Sequence, residues 1–303
     1  MGESTYKSGF VALVGRPNVG KSTLLNRMVG EKVAITATKP QTTRNRITGI
    51  HTTERAQIIF LDTPGIHKPK HKLGQHMVKV AESALEEVDL ILFVVDSTAP
   101  PGGGDRYIAG YFPARKTPVF LVLNKIDLLA PTEVARVQEE YRELHSFAEI
   151  IPVSAVTGDN LALLEDRIID YLPEGPPYYP ADMITDQPER FIVAELIREK
   201  VLHLTRDEVP HSIAVEVEEM QEREEKNLIL IRANIYVERE SQKGILIGRG
   251  GRMLKEIGQL SRADIEGLLG CQVYLELWVK VRKDWRDSAE ALRNFSYDKQ
   301  DYS

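Results

Sequence analysis

The residues most able to do chemistry form the run Gly15-Arg16-Pro17-Asn18-Val19-Gly20-Lys21-Ser22. This run fits the phosphate-loop pattern G-x-x-x-x-G-K-[ST]. It lies between an apolar segment, residues 10–14, and a helical stretch, residues 23–29, as such a loop requires. Backbone N–H groups of the loop converge on phosphate oxygens, Lys21 reaches the terminal phosphates, and the Ser22 hydroxyl ligates magnesium. The sequence therefore predicts a nucleoside-phosphate site formed by Gly15, Asn18, Val19, Gly20, Lys21, Ser22 and Thr23.

A second motif, Asp62-Thr63-Pro64-Gly65, directly follows the apolar segment 57–61. A carboxylate at the end of a strand suits magnesium, which Asp62 can contact through the water shell of the ion. The Gly65 N–H would face a γ-phosphate, so the chain beyond it could sense that phosphate. Alone, Asp-x-x-Gly is a common turn, and only its place behind a phosphate loop makes it informative.

Two further motifs are predicted to recognise the base of the nucleotide. In Asn124-Lys125-Ile126-Asp127, the carboxylate of Asp127 can accept hydrogen bonds from N1–H and the exocyclic amine of guanine. Adenine offers no such pair and would leave the carboxylate unpaired. Ser154-Ala155, after the segment 149–153, would close the pocket with a backbone N–H aimed at the guanine oxygen. The ordered set of four motifs predicts a GTPase with GTP or GDP as its nucleotide.

A polar segment, Thr42-Thr43-Arg44, lies between the phosphate loop and Asp62. One threonine hydroxyl here could complete the magnesium shell only while the γ-phosphate is present, which would make the segment a switch. We favour Thr43 over Thr42; the alternative interpretation is a solvated loop. The predicted magnesium ligands are therefore Ser22, Thr43 and Asp62, and the predicted catalytic groups are Lys21, Thr43 and Gly65.

The composition agrees with a soluble intracellular protein, and the length predicts about two domains. The chain has 303 residues, 28% of them charged, a net charge of −6 and one cysteine, Cys271. A single cysteine excludes an intramolecular disulfide, and the apolar runs are too short for a membrane span or a signal peptide. Gly102-Gly103-Gly104 is followed by no Lys-Ser pair, so we interpret it as a flexible loop rather than a second phosphate loop.

The domain boundary is indicated by four prolines between residues 173 and 180. We predict a P-loop GTPase domain over 1–172, a proline-rich linker over 173–190 and a second domain over 191–303. In the first, strands alternate with helical stretches, which is typical of an α/β P-loop NTPase with a mostly parallel sheet and helices on both faces. The second has the order helix, strand, strand, helix, helix, strand.

The second domain contains Gly248-Arg249-Gly250-Gly251, which fits the Gly-x-x-Gly loop of a KH domain. Such loops clamp single-stranded nucleic acid because the backbone can approach the phosphates. The motif alone is weak, but the element order around it resembles the α+β type II KH fold. Residues 239–255 carry five basic side chains against one acid. The predicted RNA contacts are Lys243, Gly248, Arg249, Gly250, Gly251, Arg252 and Lys255.

The motifs and their spacing resemble the translation-factor-related GTPases and, within them, the bacterial Era family, over nearly the whole chain. Ile66 stands where Ras has the glutamine that orients the attacking water. The resemblance implies that water is positioned otherwise, that hydrolysis is slow, and that Asn18 helps to hold a potassium ion.

The resemblance also implies the partners. These are the 3′ end of 16S ribosomal RNA and the small ribosomal subunit, bound by a cytoplasmic protein with peripheral membrane association. We expect RNA rather than DNA, and a monomer. Three alternatives remain open: a P-loop ATPase or kinase, which Asp127 contradicts; a non-enzymatic RNA chaperone; and a membrane-signalling GTPase without an RNA partner.

Overall fold

The structure, a computed structural model, describes residues 5–39, 41–66, 69, 71–223 and 227–295. Its contacts divide the chain into two compact units. The first comprises Met1–Thr36, Thr43–Pro69 and Met77–Asp186. The second comprises Ala37–Thr42, Lys70–His76 and Gln187–Ser303, so it includes two short segments from the region of the predicted switches.

The first unit contains a six-stranded sheet in the order β2-β3-β1-β4-β5-β6, in which only the β2–β3 pair is antiparallel. The strands are β1 Lys7–Val14, β2 Ile47–Thr52, β3 Ala56–Asp62, β4 Leu90–Asp96, β5 Val119–Asn124 and β6 Glu149–Pro152. The helices along this part of the chain are α1 Lys21–Val29, α2 Lys72–Ser83, α3 Gly103–Ala109, α4 Pro131–Arg142 and α5 Leu161–Tyr171. This is the predicted P-loop α/β architecture, which is therefore confirmed.

The central strands are apolar along their whole length because both of their faces are covered. In β4, the alternate residues Ile91, Phe93 and Val95 join a core that includes Ala81 of α2 and Tyr141 of α4. The intervening residues of the strand are buried as well. Continuous apolar strands of this kind are typical of parallel sheets covered by helices on both faces. Packing thus fixes the carboxyl ends of the strands, where the predicted site residues lie.

The proline-rich segment lies against the first unit. The backbone N–H of Ser8 donates to Pro173 O at 3.1 Å, and the Ser8 hydroxyl donates to Pro176 O at 2.7 Å. The fully buried side chain of Gln57 donates to Tyr179 O and accepts from the backbone N–H of Tyr178 and Tyr179. The structure therefore divides the chain after residue 186, whereas the prolines suggested a linker that begins at residue 173.

The second unit contains a three-stranded sheet in the order β7-β8-β9, with β7 antiparallel and β9 parallel to β8. The strands are β7 Ala214–Arg223, β8 Leu228–Val237 and β9 Gln272–Val281. The helices are α6 Glu189–Leu204, α7 Glu240–Ile247, α8 Arg252–Leu269 and α9 Ala289–Asn294. The order α6-β7-β8-α7-α8-β9 is the one predicted for a type II KH fold, which is confirmed.

The core of this unit lies between the helices and one face of the sheet. Val273 and Val279 of β9 are buried, whereas Tyr274 and Trp278 on the opposite face are more than half exposed. The fully buried Trp285 donates from its indole nitrogen to Ser212 O at 2.8 Å. Across the residues that the structure describes, we find no helix with both the length and the apolar character that crossing a membrane requires.

Candidate nucleotide and RNA sites

The phosphate loop connects β1, which ends at Val14, to α1, which begins at Lys21. Lys21 is buried, and its ammonium donates to Gly15 O at 3.2 Å and to Arg16 O at 3.0 Å. Burial lowers the pKa of Lys21 to about 8, although the negative charge of Asp62 opposes this shift. The lysine charge is thus poorly solvated and directed at the loop, where a phosphate would stabilise it.

The three predicted magnesium ligands converge beside this loop. The Ser22 hydroxyl donates to Asp62 Oδ2 at 2.6 Å, the Thr43 hydroxyl donates to the same oxygen at 3.3 Å, and the two hydroxyl oxygens are 2.9 Å apart. Adjacent ligands of an octahedral magnesium ion with bonds near 2.1 Å would lie about 3 Å apart, which is the spacing of the Ser22 and Thr43 hydroxyls. The Thr42 hydroxyl instead donates to Lys39 O, so only Thr43 reaches the site.

The environment of Asp62 is suited to a ligand of a cation. Burial raises its pKa, against the opposing effects of Lys21 and of the hydrogen bonds from Ser22 and Thr43. Within the described part of the chain, its second oxygen, Oδ1, is buried and has no hydrogen-bond partner. A buried carboxylate oxygen left unpaired is unfavourable, and a metal ion would satisfy it. The residues present therefore fit magnesium.

Gly65 lies directly against the phosphate loop. A Cβ at this position would lie 2.5 Å from Pro17 N, so a larger residue would displace the loop. The next residue, Ile66, donates its backbone N–H to Gly15 O at 3.2 Å, and its side chain is buried in the core of the first unit. A side chain packed in the core cannot orient an attacking water molecule, which gives the departure from Ras a physical basis.

The base-recognition motifs are tied to the phosphate loop through Asn124. Its side chain donates to Val19 O at 2.8 Å and accepts from the Ala155 N–H at 3.0 Å. Gly20 allows this contact, because a Cβ there would lie 2.3 Å from Asn124 Nδ2. Asn124 thus connects the loop at Ser154-Ala155 to the phosphate loop.

Lys125 and Asp127 lie in and beside a short 3-10 helix, Ile126–Leu128. Lys125 has a positive φ of 71° and pairs with Asp96 at 2.5 Å, whereas the carboxylate-bearing Asp127 is exposed. Burial alone would raise the pKa of Asp96, but hydrogen bonds from Lys125 and Thr98 hold it below its usual value. The sequence analysis missed Asp96. Its position at the end of β4, like that of Asp62 at the end of β3, was the available signal.

The loop at residues 248–251 of the KH domain adopts backbone conformations that favour glycine. Gly248, Gly250 and Gly251 have φ values of 70°, 63° and 78°, and no atom lies within 4 Å of a Cβ placed at Gly251. Of the predicted basic contacts, Lys243 is half-buried, and the others, Arg249, Arg252 and Lys255, are exposed. The loop therefore presents bare backbone surrounded by positive charge, as phosphate binding requires.

A groove of about 350 Å³ begins at this loop. It runs between α8 and β9, and its lining includes Gly251, Lys255, Arg262 and Tyr274. Arg262 and Tyr274 were not predicted. Arg262 lies seven residues after Lys255, on the same face of α8, and Tyr274 is at an outward position of β9, so helical and strand periodicity could have found both.

The second unit includes residues of the predicted first switch and of the segment after Gly65. The buried guanidinium of Arg198 pairs with Glu195 at 2.5 Å and donates to the carbonyl of Thr42. The carboxylate of Asp287 accepts the backbone N–H of Lys72, at the start of α2, at 3.1 Å. Neither Arg198 nor Asp287 belongs to a recognisable motif, so neither could be predicted from the sequence.

Comparison with known proteins identifies the family of each domain. Residues 10–125 match the family model of a 50S ribosome-binding GTPase, and residues 208–286 match that of a KH domain. GTPase Era of Alkaliphilus oremlandii is 57% identical over 294 residues, which cover 97% of this chain and all of the relative.

Two crystal structures are similar to the chain at 47% identity. One is Era in complex with MgGDPNP and nucleotides 1506–1542 of 16S ribosomal RNA, with a TM-score of 0.94. The other is a variant of Aquifex aeolicus Era bound to GDP and AlF4−, with a TM-score of 0.93. Each comparison covers 96% of this chain and 99% of the other.

Proposed function

Because the chain belongs to the Era family of GTPases, we propose that it hydrolyses GTP while bound to the 3′ end of 16S ribosomal RNA during assembly of the small ribosomal subunit. The observation that carries the nucleotide part is the convergence of Ser22, Thr43 and Asp62 within 3.3 Å beside a phosphate loop. The RNA part is supported by the basic glycine loop and its groove, and by the RNA bound to the Era structure described above.

Hydrolysis would proceed by positioning and neutralisation of charge. Lys21 would bind the terminal phosphate oxygens, and the Gly65 N–H would donate to the γ-phosphate. Magnesium, held by Ser22, Thr43 and Asp62, supplies positive charge to the phosphate oxygens when bound. No side chain acts as a strong base, and Ile66 is buried in the core, so the rate without a partner should be low.

We further propose that Asn18 helps to hold potassium, which would supply charge at the γ-phosphate. Asn18 is exposed in the phosphate loop, at a positive φ of 65°. Hydrolysis should then be faster in potassium than in sodium, and Asn18→Ala should abolish the difference. The measurement is phosphate release at equal ionic strength in the two salts. Equal wild-type rates would rule out the potassium role.

Binding of GTP and of RNA should be coupled. The γ-phosphate would fix Thr43, and Arg198 holds the carbonyl of its neighbour Thr42. RNA affinity should therefore differ between GDP and a non-hydrolysable GTP analogue, and RNA should change the relative affinity for the two nucleotides by the same factor. Arg198→Lys keeps the positive charge but loses the guanidinium, whose several N–H groups contact Glu195 and Thr42 together. In this variant the ratio of RNA affinities in the two nucleotide states should approach one. Fluorescence anisotropy with labelled RNA measures these affinities. Identical RNA affinities of the wild-type protein with GDP and with the GTP analogue would contradict the coupling.

The cellular role requires a direct test. Crosslinking in cells, followed by sequencing of the bound RNA, should enrich the 3′ end of 16S ribosomal RNA. Enrichment of unrelated RNAs, or of none, would refute that ligand. We further propose a cytoplasmic monomer that binds RNA rather than DNA and associates peripherally with the inner face of the membrane. Fractionating the lysate before crosslinking tests the location.

A further inference from the structure

A buried carboxylate holds the phosphate loop from outside the four motifs. Asp105 of α3 is completely buried, and its Oδ1 accepts a hydrogen bond from Arg16 Nε at 2.9 Å. Its Oδ2 accepts the backbone N–H of Gly102 at 2.9 Å. A carboxylate is rarely buried unless it is paired. Arg16 therefore supplies the charge that Asp105 needs, and Asp105 fixes the direction of the Arg16 side chain.

The first turn of α3 is shaped to receive this arginine. A Cβ at Gly104 would lie 2.7 Å from Arg16 Cδ and 3.2 Å from Arg16 Cγ. At the neighbouring Gly103, no atom lies within 4 Å of a Cβ. Gly104 has no positive φ that would require glycine, and glycine disfavours a helix relative to alanine. The close approach of Arg16 is thus the one local reason for glycine at position 104.

Arg16 is also joined to the groups that would handle phosphate. Its carbonyl oxygen accepts the ammonium of Lys21 at 3.0 Å, and the next residue, Pro17, is packed against Gly65. The guanidinium itself is turned toward Asp105, so it is not placed to act on a phosphate. The side chain anchors the loop, and the backbone beside it contacts the lysine and Gly65.

We propose that Arg16 is a positioning residue of the GTP site, held by Asp105 in a slot over α3 that Gly104 leaves open. Holding Arg16 fixes the backbone from Gly15 to Pro17 before the nucleotide arrives. The loop then binds phosphate without first having to order itself. The interpretation of Gly102–Gly104 as a flexible loop is therefore wrong for Gly103 and Gly104, which begin α3.

Two alanine substitutions one residue apart test the proposal. Gly104→Ala should displace Arg16 and weaken binding of a fluorescent GDP or GTP analogue by about tenfold, because the loop would then have to order itself when the nucleotide binds. Gly103→Ala, where a methyl group meets open space, should leave affinity unchanged. Gly103→Ala should not lower the melting temperature, because alanine favours the helix. In Gly104→Ala this gain is opposed by the loss of the Arg16 contact to the buried Asp105, so its melting temperature should lie below that of Gly103→Ala. A merely structural role for Gly104 would leave nucleotide affinity equal in the two variants, which would overturn the proposal.

The Arg16→Ala background removes the clash and supplies the second test. In that background Gly104→Ala should cause no further loss of affinity, whereas an additive loss would show that Gly104 acts without Arg16. If Gly104→Ala is unstable, the proposal is tested instead with three variants: Arg16→Ala, Asp105→Asn and the two combined. Losses of nucleotide affinity that fail to add would support the pair, and additive losses would overturn it.

Discussion

Replacing Asp127 with asparagine is expected to convert the chain from a GTP-binding protein into one that binds xanthosine triphosphate. The carboxylate would accept hydrogen bonds from N1–H and the exocyclic amine of guanine. An asparagine amide would instead donate to the carbonyl that replaces this amine in xanthine, while its oxygen still accepts N1–H. Sites built on such paired hydrogen bonds reject analogues that lack them by about 10⁴-fold, so the affinity for GTP should fall by orders of magnitude.

The geometry explains why this change should act on the base alone. Asp127 is exposed, and the turn that carries it is held by Asn124 and by the pair of Lys125 with Asp96. Calorimetric titration with GTP, ATP and xanthosine triphosphate measures the switch. Asp166→Asn, at an exposed ion pair of α5 with Arg55, should bind GTP normally. Unchanged GTP affinity in Asp127→Asn would remove Asp127 from the base pocket.

The nucleotide site could be predicted because each motif follows a strand. Parallel strands end at one edge of the sheet, so residues after β1, β3 and β5 must meet there whatever the length of the connections. The structure accordingly brings Ser22 and Asp62 together and links Asn124 to Val19. Thr43 reaches the same edge by another route, since it precedes β2, whose first residue Ile47 lies opposite Asp62 in the antiparallel pair. Order along the chain carried this information, and no knowledge of side-chain packing was needed.

Contacts set by packing could not be predicted in the same way. The role of Asp105 depends on a slot above Gly104, and a run of three glycines is equally typical of a loop. The docking of the proline-rich segment depends on Gln57, a polar residue near the start of a strand whose next four residues are apolar. Prolines report where regular structure ends, but they do not report what the following chain contacts.

Replacing Gly251 with aspartate is expected to abolish binding of single-stranded RNA. Gly251 has a φ of 78°, and a side chain there would project into open space at the mouth of the basic groove. Aspartate would place bulk and negative charge where a phosphate must approach the backbone. GTP binding should stay near its wild-type value, because the added side chain meets no protein atom. The melting temperature should fall only slightly, because a φ of 78° is strained for a residue other than glycine but aspartate is among the residues that tolerate it.

Gly251→Asn separates the effect of charge from that of backbone strain. Asparagine has nearly the same shape as aspartate and would be held at the same positive φ, but it carries no charge. It should retain more RNA affinity than Gly251→Asp, and the difference between the two measures phosphate repulsion. Arg249→Ala or Lys255→Ala should weaken binding moderately and flatten the dependence of log affinity on log salt by about 0.7 per lost phosphate contact. Filter binding over a salt series distinguishes these effects. Normal RNA binding by Gly251→Asp would mean that the strand does not pass this loop, because no phosphate could approach a backbone shielded by a carboxylate.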